Sequence, residues 1–308
     1  MQEYDDFGRE TNLWLPTPYP GNGSYVDPGA IKDASKGTYN DNSPYSFPVY
    51  EKSPLNRVLE KYGPGDGWRN GRSVKSAFCT NNNSDSLRCA YYYVAEDNKL
   101  VKSKAYDDCQ LYVSRTEDED GHRIFEFKDK TGQVVLTRKL NGDHNHDTYY
   151  VYDDFGNKRF VLLPSAADSL TDNTYAETEG ILQKFAYIYQ YDSRNRCIYK
   201  KLPGADPIYM IYDKADRLIF SQDGEQRKKM PKEWSFNIPD VFGRTVLTGI
   251  CKNSLVYTAD PLKDIVVKAD TISNDYKGYN VNISLLSPTV LTVDYYDGYG
   301  FMSRYGGP

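Results

Sequence analysis

Tyr152-Asp153-Asp154-Phe155-Gly156-Asn157 is an aromatic strand end that runs into a four-residue turn and closes on a glycine. The pattern aromatic-Asp-x-x-(Gly/Asn/Asp)-(polar or basic) recurs. It appears as Tyr4-Asp5-Asp6-Phe7-Gly8-Arg9, Tyr191-Asp192-Ser193-Arg194-Asn195-Arg196 and Tyr212-Asp213-Lys214-Ala215-Asp216-Arg217. Looser copies are Phe127-Lys128-Asp129-Lys130-Thr131-Gly132-Gln133, with one extra residue, Asp240-Val241-Phe242-Gly243-Arg244, with no leading aromatic, and Tyr296-Asp297-Gly298-Tyr299-Gly300-Phe301. The fifth position holds Gly, Asn or Asp, the residues that tolerate positive φ, so it predicts a left-handed backbone. An Asp at the second position suits the same turn, because its short acceptor bonds backbone N–H groups two residues on. Each copy therefore predicts the tip of a β-hairpin.

Outward from these tips the chain alternates in short runs: Val74 to Cys79, Cys89 to Val94, Leu111 to Arg115, Arg123 to Lys128 and Val134 to Leu140. Runs of this length between turn signals predict antiparallel sheet. Successive motif aspartates are as little as 21 to 27 residues apart, one hairpin per repeat, and units that cannot bury themselves singly must stack. The expectation is an all-β chain of antiparallel hairpin repeats in one continuous curved sheet. Residues 1–110 form a β-rich region carrying a loop-rich insertion at 10–48, and residues 111–308 form the hairpin array. Residues 10–48 hold six prolines, predict one helical turn near Asp27 to Ile31, and serve to cover the sheet. One short covering helix is expected within 164–186, capped by Thr178, with Ile181, Leu182 and Phe185 on its apolar side. A polar insertion spans 250–290.

Of the 308 residues, 39% are hydrophobic, and 29 are Tyr against 12 Phe and 3 Trp. Mean hydropathy is -0.71, which the tyrosines explain, since a ring with a polar tip suits a half-buried pleated surface. A net charge of -5 argues against a nucleic-acid partner. The basic cluster Arg227-Lys228-Lys229 with Lys232 reads as a solvated turn or helix face between Glu225 and Glu233. No apolar run approaches the roughly 18 residues of a membrane helix, so membrane insertion is not expected. Met1-Gln2-Glu3 leads straight into a motif copy with no signal peptide, which suggests a fragment or a processed chain. Cys79 and Cys89 bracket a polar loop and leave two readings, a disulfide across a hairpin or buried free thiols. His144 and His146 would share one face of a strand, which admits a zinc site; a polar loop is the plainer reading, as no third ligand has matching spacing. The acidic run Glu117 to Asp120 lacks the ligand order of a calcium loop and reads as a solvated tip. No cofactor is expected.

The Tyr-Asp copies at 152–157, 191–196 and 212–217 resemble the YD repeats of the Rhs (rearrangement hotspot) family. Tyr50-Glu51-Lys52-Ser53-Pro54-Leu55-Asn56-Arg57 with Gly63-Pro64-Gly65, and Pro239-Asp240-Val241-Phe242-Gly243-Arg244-Thr245, are similar to segments of the large Rhs-like surface proteins of Bacteroidetes. The resemblance implies a sheet of hairpins that spirals into a hollow shell, which in full-length members encloses a C-terminal toxin or presents a surface for cell contact or glycan binding. It also implies a secreted or cell-surface location, with the rest of the parent chain as partner. No variable toxin segment is visible in this chain, so toxicity does not carry over. Two functions follow: a non-catalytic structural or encapsulating β-shell, or a carbohydrate or cell-surface binding module using exposed tyrosines. Catalysis is disfavoured, because three histidines at loop-like positions offer little and the motif aspartates have a turn-forming role at every hairpin.

Overall fold

The computed structural model describes residues 1–21, 23–142, 144–270 and 275–296. The protein is mainly β, and its large antiparallel sheet is built from sequential hairpins, as the alternating runs require. Strands fall at Ser73–Thr80, Ala90–Val94, Tyr112–Glu117, Arg123–Lys128 and Val134–Asn141, within two residues of the alternating runs. The chain forms two compact units, Met1–Tyr91 with Ser103–Tyr149 and Tyr92–Lys102 with Tyr150–Pro308. Residues 111–149, grouped by sequence with the hairpin array, belong to the first unit.

In the first unit each strand pairs antiparallel with the next in the order Gln2–Tyr4, Glu10–Trp14, Tyr45–Tyr50, Val58–Tyr62, Ser73–Thr80, Tyr112–Glu117, Arg123–Lys128, Val134–Asn141 and His144–Tyr152. Register sorts its faces. Val113, Phe127, Leu136 and Tyr149 stand opposite one another and are buried, whereas Ser114, Glu126, Thr137 and Thr148 occupy the other face. The buried face also holds an ion pair: Arg138 Nε and Nη2 meet the Asp147 carboxylate at 2.7 and 2.6 Å, while Arg138 Nη1 donates to the carbonyls of Asp85 and Ser86. That bidentate pair ties the 81–89 loop to the sheet.

The second unit repeats the scheme through Lys158–Leu162, Ala186–Tyr191, Cys197–Lys201, Ile208–Tyr212, Leu218–Gln222, Trp234–Pro239, Thr245–Cys251 and Thr289–Val293. Phe220, Phe236, Ile238 and Leu247 lie on one face, with Ser221, Ser235, Asn237, Thr248 and Thr292 on the other. The apolar face is closed by the insertion expected to be merely polar. It contributes Leu262, Val267, Ala269, Tyr279, Val281 and Leu285 to the core around Trp234 and Phe236. These residues follow neither a helical nor a strand period over any length, so no periodicity announces them.

The helical expectations need correction. The longest helix, Pro28–Tyr39, fills the loop-rich insertion; the Asp27 carboxylate accepts from Gly29 N at 2.8 Å, proline stands in the first turn, and left-handed Asn40 ends it. Instead of one helix within 164–186 there are two short ones, Pro164–Ser169 and Gly180–Phe185, and Thr178 caps neither. The residues between them are drawn into the strand Asn173–Tyr175, which pairs with Leu100–Lys102, so a tertiary pairing overrides local propensity. A further helix, Gly224–Lys228, begins with a capping box between Asp223 and Gln226. Arg227 on it is not simply solvated: its guanidinium lies 4.1 Å from the Tyr209 ring centroid and Nη1 donates to Gln222 O. Among the described residues no helix is long and apolar enough to cross a membrane.

Candidate functional site

Because every strand turns back on its neighbour, alternate turns lie at the same end of the sheet. In the first unit that end carries the turns at 5–9, 51–57 and 129–133; in the second it carries 153–157, 192–196, 213–217 and 240–244. Apart from the longer turn at 51–57, where Glu51 N donates to Arg57 O, these turns share one internal geometry. The motif Asp N–H donates to the carbonyl four residues on, and the residue three places on donates back to the Asp carbonyl, as in Asp153 to Asn157 O at 2.9 Å and Gly156 to Asp153 O at 2.9 Å. The residue three places on is left-handed throughout: φ is +75° at Gly8, +89° at Gly132, +80° at Gly156, +59° at Asn195, +61° at Asp216 and +85° at Gly243. Asn56, in the variant turn after Ser53-Pro54, also has φ of +52°.

The side chains complete the turn. Asp213 Oδ1 accepts from Ala215 N and Arg217 N at 3.0 and 2.9 Å, and Oδ2 accepts from Arg217 Nε and Nη2 at 3.0 and 2.6 Å. Asp5 with Arg9, Asp192 with Arg196 and Asp240 with Arg244 repeat the arrangement, with Nε–Oδ2 distances of 2.7, 2.6 and 2.7 Å. Asp153 makes the neutral version with Asn157, and Asp129 bonds Thr131 N and Gln133 N at 2.9 Å. The extra residue of that copy therefore lies before the Asp and leaves the turn unaltered. Burial pushes the carboxyls of Asp192, Asp213 and Asp240 up, but hydrogen bonds from the following arginine more than offset it and leave each below its ordinary range.

Neighbouring turns are bonded to one another. Arg9 Nη1 donates to Asn56 Oδ1 at 3.1 Å, and Asn157 Nδ2 to Asn195 Oδ1 at 3.0 Å. Arg196 reaches furthest: beyond its own Asp192 it donates to Asp213 O, Asp216 Oδ1 and Asp260 Oδ2 at 2.9, 3.2 and 3.2 Å. The leading tyrosines brace the strands beneath, Tyr191 Oη donating to Lys158 O at 3.1 Å, Tyr212 Oη to Cys197 O at 2.9 Å and Tyr296 Oη to Thr245 O at 3.0 Å. Tyr4 is exposed, and Lys158 lies over the Tyr152 ring at 5.9 Å. Asp297 and Gly300 lie outside the described residues.

The sequence pattern contains the Asp, the left-handed residue and a polar sixth position, but not the role of that sixth residue, which is to clamp the Asp and reach the next turn. It also passes over Asp118-Glu119-Asp120-Gly121-His122, at the opposite end of the first unit's sheet, where Asp118 accepts from Asp120 N, His122 N and His122 Nδ1 at 3.0, 2.8 and 3.0 Å. Gly121 at a three-residue spacing was the available signal. Phe7, Phe155 and Phe242, each just before the left-handed residue, are exposed, and Arg9 and Arg244 stack on the first and last at 5.1 and 5.0 Å.

Other candidates separate. Cys79 and Cys89 are free: Cys79 lies opposite Val113 on an exposed strand end, whereas Cys89 is buried, and burial pushes its thiol far up. A buried thiol of this kind is a poor nucleophile. His144 and His146 sit not in a loop but on the first turns of pleat of the strand His144–Tyr152, both exposed. Of the tyrosines, Tyr209 packs between Tyr257, at 4.1 Å, and Arg227. The site as a whole is an array of satisfied Asp–Arg clamps, whose carboxylates are occupied by their own turns.

With that geometry in place, a model for a domain of unknown function (DUF6443) matches residues 1–80. No curated protein matches the chain. Among solved structures, TcdB2-TccC3 without its hypervariable C-terminal region is 12% identical, covers 82% of this chain and aligns with a TM-score of 0.48. The Photorhabdus luminescens Tc holotoxin pore with mutated TccC3 is 13% identical, covers 83% and has the same score. The chain spans 10% of the length of each.

A Cβ on Gly243 would meet no atom within 4 Å, so Gly243→Val tests backbone strain alone. It is expected to destabilise by about 1–3 kcal/mol, read from the urea midpoint, with Gly156→Val similar. A shift under a few tenths at both positions would remove the left-handed requirement.

Proposed function

We propose that the chain is a non-catalytic segment of a YD-repeat β-shell, with a structural or encapsulating role. One observation carries this reading: the turns 5–9 and 51–57, 153–157 and 192–196, and 192–196 and 213–217 are hydrogen-bonded to one another, so the repeated residues serve the continuity of the sheet. The sorting of faces supports it. In the second unit an insertion closes the apolar face, and the opposite faces carry Ser114, Glu126, Thr137 and Thr148 in one unit, with Phe78, Tyr112 and Ile124 exposed among them, and Ser221, Ser235, Asn237 and Thr248 in the other. Such a face, polar for the most part, can bound an aqueous interior. On this reading the rest of a longer parent chain is the main partner, and the family resemblance points to secretion or display at the cell surface.

The test is access to the uncovered face. Thr137→Cys, placed in a background with Cys79 and Cys109 replaced by serine, is expected to react with a small maleimide in both the isolated chain and the parent protein. A bulky polymer-linked maleimide should label it in the isolated chain and be excluded in the parent. Equal labelling by the bulky reagent in both would overturn the shell reading.

A further inference from the structure

We propose that His144 and His146 form a two-imidazole chelate for a borderline divalent cation such as Ni²⁺, Cu²⁺ or Zn²⁺. The two residues open the strand His144–Tyr152, one residue apart, so their side chains project from the same face. Their Cα atoms are about 7 Å apart at the rise of an extended strand, a spacing from which two imidazole nitrogens converge on one ion at about 2 Å. The spacing is held by the sheet, since Asn141 stands opposite His144 and Lys139 opposite His146 in register. Only side-chain torsions remain to be fixed on binding, which keeps the ordering cost low. Both residues are exposed, and among the described residues neither ring has a protein partner to displace.

Ligand chemistry decides the class of ion. Neutral imidazole suits nickel, copper and zinc, and two nitrogen donors make a poor site for calcium or magnesium. Among the described residues no three His, Cys, Asp or Glu side chains gather to hold a metal, so the histidine pair supplies two donors. Lys139, across from His146, adds a like charge that weakens binding, although its long stem lets the ammonium turn toward water. His122 lies nearby at the same end of the sheet, but its Nδ1 is held by Asp118 at 3.0 Å in a turn of its own. It serves as the control.

The experiment titrates the full chain with NiCl₂ by calorimetry after alkylating the exposed thiols Cys79 and Cys109. Saturation at one ion per chain is expected, with no saturable heat from MgCl₂ or CaCl₂. His144→Gln and His146→Gln should each weaken binding by about tenfold or more, with an unchanged circular dichroism spectrum, and His122→Gln should bind as the parent does. Absence of saturable nickel binding, its persistence in the double His144→Gln/His146→Gln variant, or an equal loss with His122→Gln would each overturn the assignment. None of these outcomes depends on the shell reading, which rests on the turns and the sorted faces.

Discussion

Gly249→Val is expected to destabilise the second unit by about 3 kcal/mol or more, the upper end of what overfilling a packed site costs. Gly249 lies in the strand Thr245–Cys251, opposite Phe236 on one side and Val290 on the other. A Cβ built there would approach the Thr289 carbonyl oxygen to 2.3 Å and Phe236 Cζ to 2.5 Å. The ring of Phe236 lies over the bare glycine backbone, and the carbonyl belongs to the adjacent strand, so neither yields by a simple rotation. An added side chain must expel the Phe236 ring from the core or push the strand Thr289–Val293 away. This glycine has no positive φ, so its requirement is space rather than backbone freedom, unlike Gly243. Urea unfolding followed by tryptophan fluorescence, sensitive to Trp234 in the same core, measures the loss. A fall below about 1 kcal/mol would show that the strands separate easily and that Phe236 is not held where it stands.

The second large effect belongs to Asp213, whose side chain is 0% exposed. Its carboxylate accepts from two amides of its own turn, from the Arg217 guanidinium and from Val267 N at 3.1 Å, and so fastens the covering insertion to the turn. Asp213→Ala leaves Arg217 and these amides without their acceptor, at a cost of about 3–5 kcal/mol, as when one partner of a buried ion pair is removed. Asp153→Asn is expected to cost much less, since Asp153 clamps only a neutral Asn157. The sign with pH follows from the depressed carboxyl. The contribution of Asp213 is fully present above its unfolded pKa of about 3.9 and is lost as pH falls below that through the folded value. The stability difference between parent and Asp213→Ala should therefore be constant from pH 5 to 8 and shrink below about pH 4. A difference that grew on acidification would mean that Asp213 is already protonated in the fold.

These two residues mark how far a sequence reading reaches. Asp213 belongs to a visible pattern, yet its place beneath Val267 depends on an insertion more than fifty residues away in sequence. Gly249 carries no motif and is indistinguishable by sequence from a strand glycine of no consequence. The helix Pro28–Tyr39 had local signals, Asp27, Pro28 and Asn40, but its polar faces hid the periodicity by which helices are ordinarily found. Arg138 and Asp147 are set on a core face by strand alternation alone, where sequence favours a solvated position for both.

By itself the sequence determined the turns and therefore the kind of sheet. The Asp, the left-handed Gly, Asn or Asp and the alternating strands between them act within a few residues of one another, so their physics is local and written in order along the chain. The tertiary structure alone decided what each Arg clamps beyond its own turn and which polar-looking segments close the apolar face. Those outcomes depend on residues brought together by the register of many strands, and register is a property of the assembled sheet.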